Sequence, residues 1–516
     1  MSDLRLKFAD KSWNETFNLV RRCMEKSRGK SKPSELLVRS LETLQEAFND
    51  VSSLNLMKSR LEIITKQQGM GFHVTEPTCY LTADLFYLEV ELLPCGGAAA
   101  VKVASHGRSP VHSESLLQML RSHQFTEFSM KLAGLHAQYD LPGDHEIKLR
   151  MLASLRCLWE DLQQMSKLQP EQTDRDVSQL DAINNSRIGR LMAEGDSPLT
   201  IQFYIGPTDA PDTSDFQTTD PAVQAAQVTL VGSDGNHRLQ VASVLPRPPQ
   251  LDPQGCPVFL PPGEALHETL PACFHLKLQP PIPMTGSFIQ RLGRITDVAV
   301  PELGLQWAPF PKVLMTQSAN GHEEMPDEQD AAFAVPLPGG PVHGYVLPGC
   351  AWEAPATSGA AVGGVPFSHP ACVPAVVELL RRQCVLNALL RSCLTSQPGG
   401  SGSEPHHEVL PESESSFSVT FRRPDTDGLA VLLVNVFDSR RISCTLFGAG
   451  SQDPSVNEYL SAAMTRCMSV PGTMMALNSK LTPPPSVSPP PGHHAGPSIP
   501  TVTGASDASR NSQEPG

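Results

Sequence analysis

Cys79-Tyr80-Leu81-Thr82-Ala83-Asp84-Leu85-Phe86-Tyr87-Leu88-Glu89-Val90-Glu91-Leu92 is the stretch on which the fold turns. From Phe86 it alternates: Phe86, Leu88, Val90 and Leu92 fall on one face, Tyr87, Glu89 and Glu91 on the other. A period of two in aromatic and β-branched residues is the pattern of a half-buried strand. Ala100 to Ser105, with Val101 and Val103 inward, reads as a second strand. Helical patterns lie on either side, and a strand set among helices needs them to cover its apolar face. The fold class expected is therefore α+β.

Working outward from the strands, the N-terminal side predicts three helices. Ser12-Trp13-Asn14-Glu15 fits a capping box and opens a helix with Trp13, Phe17, Val20 and Met24 on one stripe. A second helix from Ser34 carries Leu37, Leu41, Leu44 and Phe48. A third carries Leu54, Met57, Leu61 and Ile64 and stops at Gly69, a left-handed cap. Beyond the strands, Ser113 to Ser122 and Phe125 to Ala137 read as short helices. After the turn Leu141-Pro142-Gly143-Asp144, Asp144 caps the clearest helix in the chain. Its stripe is Ile147, Met151, Leu155, Leu158, Leu162 and Met165. Such a stripe is an interface, facing its own domain or a neighbour, and these six residues are the candidate protein-interaction site.

The character changes after a polar connection. Leu199 to Ile205, Gln227 to Val231, Arg238 to Val244 and Ala272 to Leu278 read as strands, with Asp234-Gly235 predicting a hairpin. Phe417 to Phe421, Leu429 to Phe437 and Ile442 to Phe447 read as a meander. Pro374 to Leu394 and Pro454 to Met468 are two inserted helices, and Gly339 to Pro366 and Ser396 to Pro411 read as Pro/Gly loops. The expected organisation is a helix-rich N-terminal domain with a small sheet (1–168), a linker (169–198), a β-rich domain (199–475) and a disordered Pro/Ser/Gly tail (476–516).

Composition narrows the chemistry. A net charge of −14 over 516 residues argues against a protein built to grip phosphate backbones. The twelve cysteines include no C-x-x-C pair, so reduced thiols are expected in place of a disulfide framework or zinc site. The start, MSDLRLKFADKSW, has no apolar core of a signal peptide, and no run approaches the length of a membrane span. Motifs fail on inspection. Gly29-Lys30-Ser31 ends like a phosphate loop, but Met24 stands where its first glycine belongs. His145, His267, His322 and His407 are each followed by Glu, yet none has a second His four residues on. Gly399-Gly400-Ser401-Gly402-Ser403 misses the nucleophile elbow. No catalytic residue, cofactor, metal, membrane or direct nucleic-acid contact is expected. The run Lys26 to Lys32 reads as a solvated basic loop, with nuclear import as the alternative. Leu386-Asn387-Ala388-Leu389-Leu390 spells L-x-x-L-L, a groove-binding helical motif. Its neighbours are apolar nearly all round, which is the signature of a core helix.

A family resemblance adds to this. The matching residues begin with Trp13-Asn14-Glu15-Thr16, Leu19-Val20-Arg21, Met24-Glu25-Lys26 and Leu41-Glu42-Thr43-Leu44-Gln45. The stretch from Cys79 to Leu92 follows, then Val101-Lys102-Val103-Ala104 with His106-Gly107, and Leu141-Pro142-Gly143-Asp144. After these come Leu270-Pro271-Ala272-Cys273-Phe274, Leu276-Lys277, Gln279 to Pro283, His369-Pro370, Arg466 to Pro471 and Thr473-Met474. In this order, from Ser12 to Met475, they resemble the conserved N-terminal region of subunit 1 of the Mediator complex, the coactivator of RNA polymerase II transcription. The resemblance implies a nuclear, non-enzymatic scaffold subunit of the middle part of Mediator. It would bind other Mediator subunits and, through them, relay activator signals to RNA polymerase II. Long members of the family carry a disordered C-terminal extension with receptor-binding L-x-x-L-L boxes. This chain ends at Gly516 and reads as a short, subunit-1-like form, and Leu386 to Leu390 does not stand where those boxes do. Direct nuclear-receptor binding therefore does not follow from the resemblance. Two alternative functions are kept: a receptor-binding adaptor using Leu386, Leu389 and Leu390, and a soluble hydrolase using scattered His and Asp.

Overall fold

A computed structural model describes residues 13–27, 40, 53–168, 183–192, 199–206, 223–253, 255–261, 263–316, 331–338, 342–394, 407–423, 426, 428–448 and 454–481. The Ser12 cap, nearly all of the helix expected from Ser34, most of the 169–198 linker and the tail from 482 onward lie outside the described residues.

The quoted stretch forms a hairpin in place of a single strand. After α1 (Trp13–Ser27) and α2 (53–67) come β1 (Gly71–Thr75), β2 (Thr78–Thr82), β3 (Phe86–Leu92), β4 (Ala98–Ser105) and β5 (Val111–His112), an antiparallel sheet in sequence order. Residues 83–85 turn the chain, and Cys79 then faces Val90 across the ladder while Leu81 faces Leu88. Every second residue of β3 is buried, from Phe86 to Leu92, as the alternation requires. Met57, Leu61 and Ile64 of α2 cover this face. They are joined by Leu116, Leu117 and Leu120 of α3 (Glu114–Arg121) and by Phe128, Leu132 and Leu135 of α4 (Phe125–Tyr139). Gly69 ends α2 at φ +71, as its position predicts.

A second apolar core begins with α5 (His145–Lys167) and contains two six-stranded sheets. The strands are β6 (Arg190–Met192), β7 (Thr200–Ile205), β8 (Val223–Gln240), β9 (His267–Thr285), β10 (Ala308–Pro309), β11 (Ala331–Pro336), β12 (Val342–Leu347), β13 (Ser358–Phe367), β14 (His407–Ser413), β15 (Ser416–Arg422), β16 (Leu429–Val436) and β17 (Ile442–Phe447). One sheet runs β10-β13-β9-β8-β7-β6. The other runs β11-β12-β14-β15-β16-β17 and includes the predicted meander. Helices α6 (Gly286–Thr296), α7 (Phe310–Thr316), α8 (Gly349–Trp352), α9 (Val373–Arg391), α10 (Pro454–Cys467) and α11 (Val470–Leu481) complete it. The region therefore holds more helix than the two expected insertions, and α11 extends past residue 475.

Three expectations are corrected. Asp234-Gly235 does not close a hairpin, because both halves of β8 pair with the same strand. Gly232 faces Ala272, and the next pair is His237 with Leu270, so residues 233–236 are a bulge. Gly339 to Pro366 is largely β12, α8 and β13, and β14 begins inside the expected loop from Ser396. Prolines 280 and 281 sit within β9, where neither neighbour needs their missing N–H. The β8 ladder ends at Gln279, and the β13 ladder skips from Ile282 to Lys277. All twelve cysteines are free, and burial pushes the thiols of Cys384, Cys393 and Cys444 up to about 12.

Gly364, at that skip, leaves room for the imidazole of His275, which a Cβ would overlap. Gly364→Ala should lower stability by about 1–3 kcal/mol in urea titration. Burial, and secondarily Lys277, holds His275 below its ordinary value, so the fold favours the neutral ring. Its contribution is complete above the unfolded value of about 6.5 and is lost as pH falls toward the depressed folded one. The urea midpoint should therefore drop between pH 7.5 and 5.5, and less steeply in His275→Gln.

Candidate interaction surfaces

The predicted stripe is built as the sequence requires, but its partner is the chain itself. Asp144 caps α5 by accepting the Ile147 amide at 2.9 Å, and Glu146 and Lys167 suit the two ends of the helix dipole. Met151, Leu155, Leu158, Leu162 and Met165 are all buried, and Ile147 packs half-buried against the same core. That core includes β8 and β9 of the larger region and is distinct from the N-terminal cluster. The six residues are not a free face.

Asp161 explains why α5 is fixed there. It is fully buried and accepts from Gln240 Nε2 (2.8 Å), Ser243 Oγ (2.5 Å) and the Val244 amide (3.0 Å). Ser154, two turns earlier, donates to the Gln240 carbonyl at 2.6 Å. Burial lifts the Asp161 carboxyl above its ordinary value, while the three donors pull it back. Asp161 was legible as a charge between Leu158 and Leu162, inside an apolar stripe, a position that demands buried partners.

The L-x-x-L-L motif is also internal. Leu386, Leu389 and Leu390 are 4%, 0% and 1% exposed, so none can enter another protein's groove without unfolding α9. Of the 19 residues of α9, 13 are buried, since the helix touches β7 and β9 of one sheet and β16 of the other. Arg381 is buried with them and donates to the carbonyls of Phe203 (2.8 Å) and Ile183 (2.7 Å). Burial draws its guanidinium down to about 10, still cationic at neutral pH, with Glu378 at 3.5 Å opposing the shift.

Leu386 and Leu390 line a cavity of about 160 Å³ together with Phe310, Trp352 and Phe417. Its carboxylates are committed: Glu414 to Arg291 and Arg382, Glu412 to Ser418. No histidine lines it. The convergent His and carboxylate that a hydrolase would need are not assembled there. Among the described residues no cluster of three His, Cys, Asp or Glu is placed to hold a metal, and no helix is long and apolar enough to cross a membrane.

What the geometry defines is a protein of covered helices and sheets, in which both sequence-predicted interaction motifs serve the fold. Residues 38–395 match the family model described as Mediator of RNA polymerase II transcription subunit 1, and the chain belongs to that family. It is similar to Mediator of RNA polymerase II transcription subunit 1 of Xenopus tropicalis, 32% identical over 499 residues. That alignment covers 91% of this chain and 31% of the relative. The Xenopus laevis protein is 33% identical over 494 residues, and the Drosophila melanogaster protein 24% over 493. The chain thus spans about a third of the length of the relatives it matches.

Leu389→Ala and Leu390→Ala should each cost about 2–5 kcal/mol in denaturant unfolding, the range for emptying a buried leucine site. A receptor-groove role would instead leave the midpoint nearly unchanged. Asp161→Ala strands three donors, two of them buried, and should cost on the order of 3 kcal/mol by the same measurement.

Proposed function

We propose that this chain is a non-enzymatic subunit of Mediator, holding other Mediator subunits and relaying activator signals to RNA polymerase II in the nucleus. The observation that carries the proposal is the alignment over 91% of the chain with subunit 1 relatives, which spans both cores and not one shared motif. On this reading the chain sits in the middle part of Mediator, an expectation that rests on the sequence resemblance.

Partner contact on this reading belongs to exposed apolar side chains and not to the α5 stripe. Leu56 and Ile63 of α2 are 62% and 51% exposed and lie seven residues apart, on one face of the helix. Leu303 and Trp307 stand out on the loop after α6. Of these, Trp307 is of the residue type that most often anchors a protein interface.

Affinity purification of the tagged chain from nuclear extract, followed by mass spectrometry, checks the proposal. Several Mediator subunits should be recovered together. Recovery of none, with the chain folded and abundant, would contradict it.

A further inference from the structure

The turn between β4 and β5 reads Ser105-His106-Gly107-Arg108-Ser109-Pro110. His106 through Pro110 are exposed, and Ser109 and Pro110 lie in irregular backbone. A proline holds the residue before it in an extended conformation, the form in which a substrate serine is presented to a kinase cleft.

Arg156 of α5 lies against this turn. Its Nη2 donates to the His106 carbonyl and lies 3.4 Å from Ser105 Oγ. Its Nη1 comes within 3.7 Å of where a Cβ of Gly107 would stand, and Gly107 is at φ +73. Among the described residues neither Arg108 nor Arg156 is in an ion pair. Burial first, then the charge of Arg108, pulls the Arg156 guanidinium down, with Tyr139 and Glu160 acting the other way. His106 meets His145 edge-on at 5.9 Å, and the Lys148 ammonium beside them is 2.7 Å from Asp84. In a chain of net charge −14, Arg156 thus lies against a turn that carries Arg108 and an exposed Ser-Pro, close enough for the two charges to act on each other. Like charges so placed repel until an anion comes between them.

We propose that Ser109 is a phosphorylation site for a proline-directed serine/threonine kinase, with Arg108 and Arg156 as the clamp for its phosphate. In the transfer, Ser109 Oγ bonds to the γ-phosphorus of ATP and the bond from that phosphorus to the β,γ-bridging oxygen breaks. ADP leaves with the electron pair, and the hydroxyl proton passes to the kinase's base. The product carries about −1.5 to −2 charge and three acceptor oxygens, which guanidinium groups bind in pairs. Gly107, against which Arg156 lies, and Ser109 are at most about 7 Å apart along the chain, a span that a phosphoserine side chain and a guanidinium can bridge between them. Modification would latch the N-terminal sheet onto α5, the helix rooted in the second core. This inference stands apart from Mediator membership.

The folded chain, treated with a proline-directed kinase and ATP, should incorporate phosphate at Ser109 by mass spectrometry and lose it in Ser109→Ala. In phosphorus NMR, the second ionisation of the phosphoserine should lie about one unit below that of a phosphorylated 104–112 peptide. It should return toward the peptide value in Arg156→Gln and in Arg108→Gln. Arg108 is exposed, so its variant reads the clamp even where Arg156→Gln lowers the unfolding midpoint. Modification of the peptide but not the folded chain would overturn the proposal, as would identical titrations. So would Arg156-dependent binding of inorganic phosphate by Ser109→Ala as tight as the clamp on phosphoserine, which would assign the arginines to a foreign anion.

Discussion

Burial of α9 between two sheets is the constraint on which the larger part of this molecule depends. Each six-stranded sheet has an apolar face that water must not reach, and one helix that is apolar nearly all round touches both. The cost is that any polar group on that helix must find a partner inside. Arg381 finds the carbonyls of Phe203 and Ile183, Asn387 donates to Pro283, and Gln383 donates to Asn387. Glu378, at the margin, accepts the Ser439 amide. These bonds fix the rotation of α9 against β7, β9 and the turn between β16 and β17, which apolar contact alone would leave loosely specified.

The same logic sets α5 in place and connects the two cores. Its apolar stripe enters the larger core, and Asp161 fixes it to residues 240–244. Its outer surface meets the N-terminal sheet: Lys148 pairs with Asp84 at 2.7 Å, and Arg156 reaches the β4–β5 turn. Phe86 and Tyr139, at 5.0 Å between ring centres, complete the join from the N-terminal side. At the far end the exposed edge of β17 is closed by α10. Ser461 and Asn457 accept the amides of Cys444 and Leu446, so that edge offers these donors to no other strand.

Local rules made much of this legible. Alternation gave β3, the 3.6-residue period gave α5, and the meander of β15 to β17 followed from three alternating runs with turn residues between them. The misses are places where tertiary pairing overrode local signals. Asp234-Gly235 has turn chemistry, but β9 is long enough to pair with both halves of β8, leaving those residues as a bulge. Pro280 and Pro281 in β9 argue against a strand until its neighbours' ladders are seen to skip them. Of the strands within 342–367, β13 is rich in glycine and alanine, and cross-strand pairing with β9 orders it. The stripe on α5 shows a different limit. Periodicity states that a face is covered and is silent about by whom. The charge embedded in it, Asp161, was the clue that the cover would carry hydrogen-bond donors.

Native-state hydrogen exchange on the amides of α9 tests the central claim most directly. If the helix is the shared core of both sheets, its slowest amides open only with global unfolding, and the free energy of exchange for 380–390 equals that from denaturant titration. Exchange of Leu386 to Leu390 through a smaller opening, with the sheets still protected, would contradict it and return the L-x-x-L-L segment to the solvent.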